Sequence, residues 1–332
     1  MIITRTPFRI SFFGGGTDYP VWYENNGGGS VLSTSIDKYC YISCRYLPPF
    51  FDHKSRILWS KTELVKDVEE IQHPSVRETL KFLNIQKGVE IHHDADLPSR
   101  SGLGSSSSFT VGLLHALHAL EGRIVTKQRL ALEAINIEQN ILKENVGSQD
   151  QAIAAFGGFN KIEFSGPQKI TTYPISLMPA KLNLLQDHLV LFFTGFARNA
   201  SDVAAEQIKN TPRKTSELKT MVGMVEEAIK ILNSSDTLDD FGRLLHEHWQ
   251  IKRSLTSQIS NPLIDEIYEA GREAGVIGGK LLGAGGGGFI LFFVKPEHQS
   301  RVKEKLKKLL HVPFRFENSG SQIIYYAPTE NF

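Results

Sequence analysis

Pro98-Ser99-Arg100-Ser101-Gly102-Leu103-Gly104-Ser105-Ser106-Ser107-Ser108 is the stretch whose reading decides the fold. An extended run, Gly88 to His93, leads into it. A helical run, Phe109 to Glu121, leads out, with Val111, Leu113, Leu114, Leu117 and Leu120 apolar. Two close glycines admit backbone N–H groups to an oxyanion with no Cβ in the way. The serines add hydroxyls, and the free N–H groups and positive dipole end of a helix start attract phosphate. A flexible Gly/Ser surface loop has the same composition. Placement between a strand and a helix is what favours a phosphate cradle.

Toward the N-terminus, Ile2 to Phe13 reads as a strand that breaks at Gly14-Gly15-Gly16-Thr17-Asp18-Tyr19-Pro20. Asp18 sits just past a strand end, where its carboxylate either reaches a pocket or caps its own turn. Residues 31–36, 38–47 and 56–60 read as a meander of strands with turns at Asp37, Pro48, Pro49 and Asp52, followed by a helix from Pro74 to Leu83. Thr126 reads as the N-cap of a helix to about Lys143, apolar at Leu130, Ala134, Ile137 and Ile141. Glu138 adjoins that stripe, as a flank at the solvent boundary or as an inward metal ligand. Asp150 falls in the first turn of the next short helix, where an acid either stabilises the dipole or does chemistry. A hairpin at 159–164 and 169–175 closes the first half.

The pattern restarts at His188 to Gly195, a buried strand leading to a turn with Arg198. Helices follow at about 214–233, 237–259 and 262–274, then the glycine-broken stretch from Gly278 to Gly288. A buried strand (289–294), a helix (296–310) and a final strand pair (312–327) complete the chain. This divides it into 1–186 and 187–332, an α+β arrangement whose second half suits an antiparallel sheet with helices on one face.

Bulk properties bound the rest. The chain has 332 residues, 41% hydrophobic and 22% charged, with net charge +1, so no broad field draws it to nucleic acid or an anionic membrane. Its two cysteines, Cys40 and Cys44, are too few for a disulfide framework and fit a reduced, cytoplasmic chain. No run reaches the ~20 apolar residues that span a bilayer, and the N-terminus lacks a signal-peptide core. His246 and His248 fall on different helix faces, which disfavours a shared metal. The basic run Lys303 to Lys308 reads as a solvated helix face.

Three glycine-bearing motifs in this order resemble the GHMP kinase superfamily, named for galactokinase, homoserine kinase, mevalonate kinase and phosphomevalonate kinase. Pro7 to Tyr19 is similar to motif one, Pro98 to Ser108 to motif two, and Lys280 to Phe289 to motif three. The resemblance implies a ribosomal-protein-S5-like first domain and a ferredoxin-like second domain, with ATP and substrate in the cleft between. It implies that Ser101, Gly102, Leu103, Gly104, Ser105, Ser106 and Ser107 bind ATP. Asp150 would take or orient the acceptor hydroxyl's proton, and Arg9 would pair with it and stabilise the charge in transfer. Ser106 and Glu138 would hold Mg²⁺, and Asp18, Gly15, Gly16, Gly285 and Gly286 would lie on the substrate side. Arg198, at a helix start, would meet a substrate phosphate.

Where galactokinases carry Glu-His this chain has Gly15-Gly16, which argues against galactose. Arg100 stands where a small residue is usual. The Gly-Gly-Gly-Thr-Asp form looks like that of bacterial D-glycero-D-manno-heptose 7-phosphate kinases, and fucokinases carry a related form. The expected activity is ATP- and Mg²⁺-dependent phosphorylation of a sugar hydroxyl, the anomeric hydroxyl of that heptose phosphate. The alternatives are an unphosphorylated sugar such as fucose, or a non-catalytic member that senses nucleotide or sugar. The expected partners are small molecules, with no nucleic acid and no membrane; a homodimer is compatible with the chain.

Overall fold

In the computed structural model, residues 1–99, 101–166, 168–195, 200–234 and 237–328 are described. The first half contains β1 (Ile2–Phe13), α1 (Pro20–Tyr23), β2 (Gly29–Tyr46), β3 (Ser55–Leu58), β4 (Thr62–Val65), α2 (Pro74–Phe82), β5 (Val89–Ala95) and α3 (Ser105–Leu120). It continues with α4 (Lys127–Ile135), α5 (Gln149–Phe156), β6 (Phe159–Phe164), β7 (Ile170–Pro174) and α6 (Pro179–Asp187). The second half holds β8 (Leu189–Phe193), α7 (Ala200–Asn210), α8 (Thr215–Ser234), α9 (Asp239–Arg253), α10 (Pro262–Glu273), β9 (Val276–Leu281) and β10 (Phe289–Val294). It ends with α11 (Gln299–Lys305), β11 (Leu310–His311), β12 (Phe316–Glu317) and β13 (Gln322–Tyr326).

Two sheets carry these elements. One runs β13-β1-β2-β5-β3-β4 with β6, β7 and β12 attached; the other runs β11-β8-β10-β9. β8, the first strand of the second sheet in chain order, begins at Leu189. The far end needs correction: β13 pairs with β1, Ile2 opposite Tyr326, and β12 pairs with β2, so the chain returns to the first sheet. The expected strand pair at 312–327 therefore closes the first domain, not the second.

The meander at 31–47 is a single strand rather than two. Its pairing with β1 slips between Pro7, opposite Tyr39, and Phe8, opposite Ile36, so Asp37 sits in a bulge instead of a turn. Helix α3 starts at Ser105, four residues earlier than its apolar run implies, so all four serines lie in its first turn. The run from Phe109 to Leu114 is buried throughout, as a helix lying across β1 and β2 requires.

Apolar packing crosses between the halves. Phe12 and Phe13, at the end of β1, meet the ring of Phe241 on α9 at 5.7 and 5.2 Å. Both cysteines are free and buried in the same core. Among the described residues no helix is long and apolar enough to cross a membrane.

Candidate active site

The ends of β1, the glycine–serine loop, α5 and α9 converge on one cleft of about 300 Å³, the size of a small-molecule site. Arg9 of β1 and Asp150 of α5 meet there, 141 residues apart in sequence. Nε of Arg9 donates to Oδ1 at 2.7 Å and Nη2 to Oδ2 at 2.8 Å, a bidentate fork. The Arg9 side chain is 5% exposed and that of Asp150 23%, so the guanidinium forms the wall and the carboxylate faces the cleft.

The same arginine holds the loop. Its Nη1 donates to Gly102 O at 2.6 Å, and its backbone N donates to Leu103 O at 3.0 Å. Gly102 has φ +83°, and a Cβ there would lie 2.5 Å from Leu282 O, so only glycine lets the loop seat against the third glycine stretch. Gly102, Gly104, Ser105, Ser106 and Ser107 line the cleft. Leu103 does not: it is buried in the core and anchors the loop, and Ser101 is buried behind it, its carbonyl accepting from Phe289 N at 3.2 Å. The expectation that those two face ATP is corrected to an anchoring role.

Gly15, Gly16 and Asp18 line the cleft. Gly16 N donates to Asp18 Oδ1 at 2.9 Å; burial raises the Asp18 carboxyl above its usual range, and that hydrogen bond opposes the rise. Gly285 and Gly286 are displaced from the expected position. Gly286 N donates to Ile259 O at 3.0 Å and Gly285 packs on Ile259, so the cleft is lined instead by Gly283 and Ala284. Arg198 and Arg100 lie outside the described residues.

Among the cleft residues with no local sequence signal are two on helices of the second half, Gln207 and Lys252. Gln207 of α7 is buried against Gly16, where a Cβ would lie 2.4 Å from its Nε2. Lys252 of α9 is buried, and its Nζ donates to Gly283 O at 2.6 Å. Both sit on amphipathic helices, where periodicity marks them as ordinary helix positions. His248, on the same helix as Lys252, accepts from Gly14 N at 3.1 Å through Nε2 and so fixes the first glycine turn. His246 instead pairs its Nδ1 with Tyr268 Oη at 2.7 Å.

Glu138 lies in a π-helical turn, Asn136–Ile141, that continues α4 and turns the carboxylate inward, leaving it 1% exposed. The helix begins at its Thr126 cap, which accepts from Arg129 N at 3.2 Å. Ser107 Oγ donates to Glu138 Oε2 at 2.8 Å, and Gln151 Nε2 donates to the same oxygen. The serine on Glu138 is thus Ser107, while Ser106 is exposed at the cleft. Oε1 makes no well-formed hydrogen bond among the described residues, and burial pushes the carboxyl up to about 7 against the opposing pull of the Thr110 and Ser107 hydroxyls. An orphaned buried carboxylate oxygen behind a serine-lined wall fits a divalent cation, which kinase sites hold by one or two carboxylates plus substrate phosphates.

Residues 68–158 match the family model of the GHMP kinases N terminal domain, and residues 224–312 that of the GHMP kinases C terminal domain. The chain is 29% identical over 324 residues to D-glycero-alpha-D-manno-heptose 7-phosphate kinase of Campylobacter jejuni, covering 92% of this chain and 93% of that one. It is 25% identical to the bifunctional fucokinase/GDP-fucose pyrophosphorylase of Arabidopsis thaliana, over 91% of this chain and 31% of that one. Among solved structures, a D-glycero-D-manno-heptose 1-phosphate kinase from Bacteroides thetaiotaomicron superposes with a TM-score of 0.77 at 23% identity, covering 98% of this chain and 99% of that one. That likeness establishes the two-domain fold.

Proposed function

The chain belongs to the GHMP kinases and is an ATP-dependent sugar kinase, and from that premise we propose that it phosphorylates the anomeric hydroxyl of D-glycero-D-manno-heptose 7-phosphate, giving the 1,7-bisphosphate. The observation that carries phosphoryl transfer in this cleft is the Arg9–Asp150 fork set against the glycine–serine loop. The likeness to the Campylobacter jejuni enzyme over nearly the whole of both chains supports the heptose phosphate as acceptor.

In this reading the acceptor hydroxyl donates its proton to the cleft-facing carboxylate of Asp150 as its oxygen bonds to the terminal phosphorus of ATP. The bond to the β-phosphate oxygen breaks and ADP leaves with that electron pair. Arg9 keeps the carboxylate oriented through two hydrogen bonds and places positive charge beside the group in transfer. The backbone N–H groups at the start of α3 and the hydroxyls of Ser105 and Ser106 receive the phosphates. Asp18 accepts from acceptor hydroxyls beside Gly15 and Gly16, where the absence of side chains leaves room for the sugar. Glu138 and Ser106 would hold Mg²⁺, which when bound neutralises phosphate oxygens. Rate enhancement comes from positioning and charge rather than from a covalent intermediate.

A coupled ADP-release assay tests the acceptor, with the heptose 7-phosphate, fucose, galactose and mevalonate in parallel. Turnover with the heptose phosphate, and a product phosphate on the anomeric carbon by ³¹P NMR, is expected. Turnover with fucose and none with the heptose phosphate would overturn the reading. No ADP with any sugar would favour a sensing role.

A further inference from the structure

Lys252 is a buried cation that the mechanism above leaves unused. It is 5% exposed and lines the cleft. Among the described residues its ammonium makes one hydrogen bond, to Gly283 O at 2.6 Å, and no ion pair. Buried charges are normally paired, because taking an ammonium out of water is costly unless an anion compensates. Here the compensation from within the chain is indirect: Asp18 and Asp150 favour the charged form from a distance, while burial and Arg9 oppose it, and the ammonium is held down at about 8. A cleft that keeps a desolvated, unpaired ammonium is built to receive a negative charge from outside.

Its position says which charge. The Nζ lies 3.9 Å from where a Cβ on Gly15 would stand, on the acceptor side. Its partner Gly283 abuts the phosphate loop: a Cβ there would be 2.5 Å from the Cα of Gly102. The ammonium therefore stands between the acceptor turn and the phosphate loop, in the zone that the group in transfer crosses. Lys280, the other buried lysine nearby, does not enter the cleft; its Nζ donates to Phe12 O at 2.8 Å.

We propose that Lys252 is a catalytic residue whose ammonium binds a non-bridging oxygen of the terminal phosphoryl group of ATP as it moves to the acceptor. Arg9 and Lys252 then bracket that group, one from the first domain and one from the second, so full charge stabilisation requires both domains around the cleft. The proposal rests on phosphoryl transfer in this cleft but not on which sugar accepts. The competing source of the same phosphate chemistry is a phosphate carried by the acceptor.

The test uses Lys252→Met and Lys252→Arg in the full chain. Nucleotide affinities are read by calorimetry without any acceptor, so the wrong sugar cannot spoil that arm. With Lys252→Met, affinity for the non-hydrolysable β,γ-imido analogue of ATP is expected to fall about tenfold while ADP affinity stays within about twofold, and kcat to fall about 10²–10³-fold. Equal weakening of both nucleotides would overturn the proposal, since the lysine would then only tether the Gly283 turn. An increase in acceptor KM alone would also overturn it, assigning the ammonium to the acceptor's phosphate.

The pH arm survives a poorly folded methionine variant. Arg9, Asp18 and Asp150 face Lys252 from the first domain, and Lys280 and His248 stand behind it, both held well below their usual values by burial. All five remain in Lys252→Arg. The wild-type kcat/KM for ATP is expected to decline as pH rises through about 8, where Lys252 loses its proton, and Lys252→Arg to lack that decline. The same decline in both would overturn the assignment.

Discussion

Replacing Asp150 by Asn separates the carboxylate's chemistry from the loop's architecture. The substitution keeps size and shape but removes the proton acceptor and one of the two oxygens that Arg9 grips. The amide N–H₂ then faces an arginine N–H, so one arm of the fork is lost and the other stays. A positioned base contributes about 10²–10⁴-fold, which at about 1.36 kcal/mol per decade is roughly 2.7–5.4 kcal/mol of barrier. The loop has its own ties to Arg9, at Gly102 O (2.6 Å) and through the backbone to Leu103 O (3.0 Å), and neither involves Asp150. Nucleotide affinity should therefore stay within about threefold while kcat falls at least about 100-fold. Coupled ADP release gives kcat, and calorimetry with ADP gives the affinity. A kcat within about tenfold of wild type would remove Asp150 from the chemistry. Loss of ADP binding in step with kcat would mean that the carboxylate holds the loop.

Other substitutions probe the neighbouring contacts. Arg9→Met cuts the tie to Asp150 and the tie to Gly102 together, so nucleotide affinity should fall along with kcat. Breaking a buried pair costs about 3–5 kcal/mol, reduced here to about 2–3 because Asp150 can rehydrate, and a denaturant titration reads it. Gly102→Ala places a Cβ 2.5 Å from Leu282 O at φ +83°, so thermal stability should drop and ATP affinity should weaken while ring contacts such as Phe12–Phe241 persist. Glu138→Gln removes a carboxyl that burial raises to about 7 from 4.5. The raised value favours the folded wild type below pH 4.5, and that advantage is lost as pH climbs through about 7. The variant should thus gain on wild type between pH 5 and 8 by up to about 3 kcal/mol in melting experiments, while its Mg²⁺ requirement for turnover rises.

What could be read from the sequence was what is local. The Gly-Leu-Gly-Ser run between strand and helix, the Thr126 cap and Asp150 in a first helical turn each carry their signal within a few residues, and the structure places all three as read. Glu138 was ambiguous for a physical reason. A regular helix leaves it beside the apolar stripe, and only the π turn at Asn136–Ile141 rotates it inward. Asp37 looked like a turn residue because an acid between two apolar runs has that appearance. Pairing with β1 on one side and β5 and β6 on the other holds the strand straight through it as a bulge.

The features that could not be read are set by partners distant in the chain. The β13 strand carries Ile323, Ile324, Tyr325 and Tyr326, an ordinary terminal strand until the register with Ile2 and Ile3 assigns it to the first sheet. Lys252 and Gln207 are the functional counterpart. Each occupies a helix position that solvent or core would explain; Lys252 acquires meaning because Phe12 and Phe13 seat α9 against the end of β1, and Gln207 of α7 because it lies against Gly16. That seating also accounts for the first glycine run. A Cβ at position 16 would lie 2.4 Å from Gln207 Nε2, whereas one at 15 would make ordinary contact with Lys252 Nζ at 3.9 Å, so the second domain crowds position 16 and leaves the space beside 15 open. The missing side chains of Gly15 and Gly16 and the added polar groups of the second domain are two halves of one arrangement. Gly16→Ala strains the backbone at φ +105° as well as meeting Gln207 Nε2, so acceptor KM should rise, and a compensating Gln207→Ala should recover only the steric part of the loss.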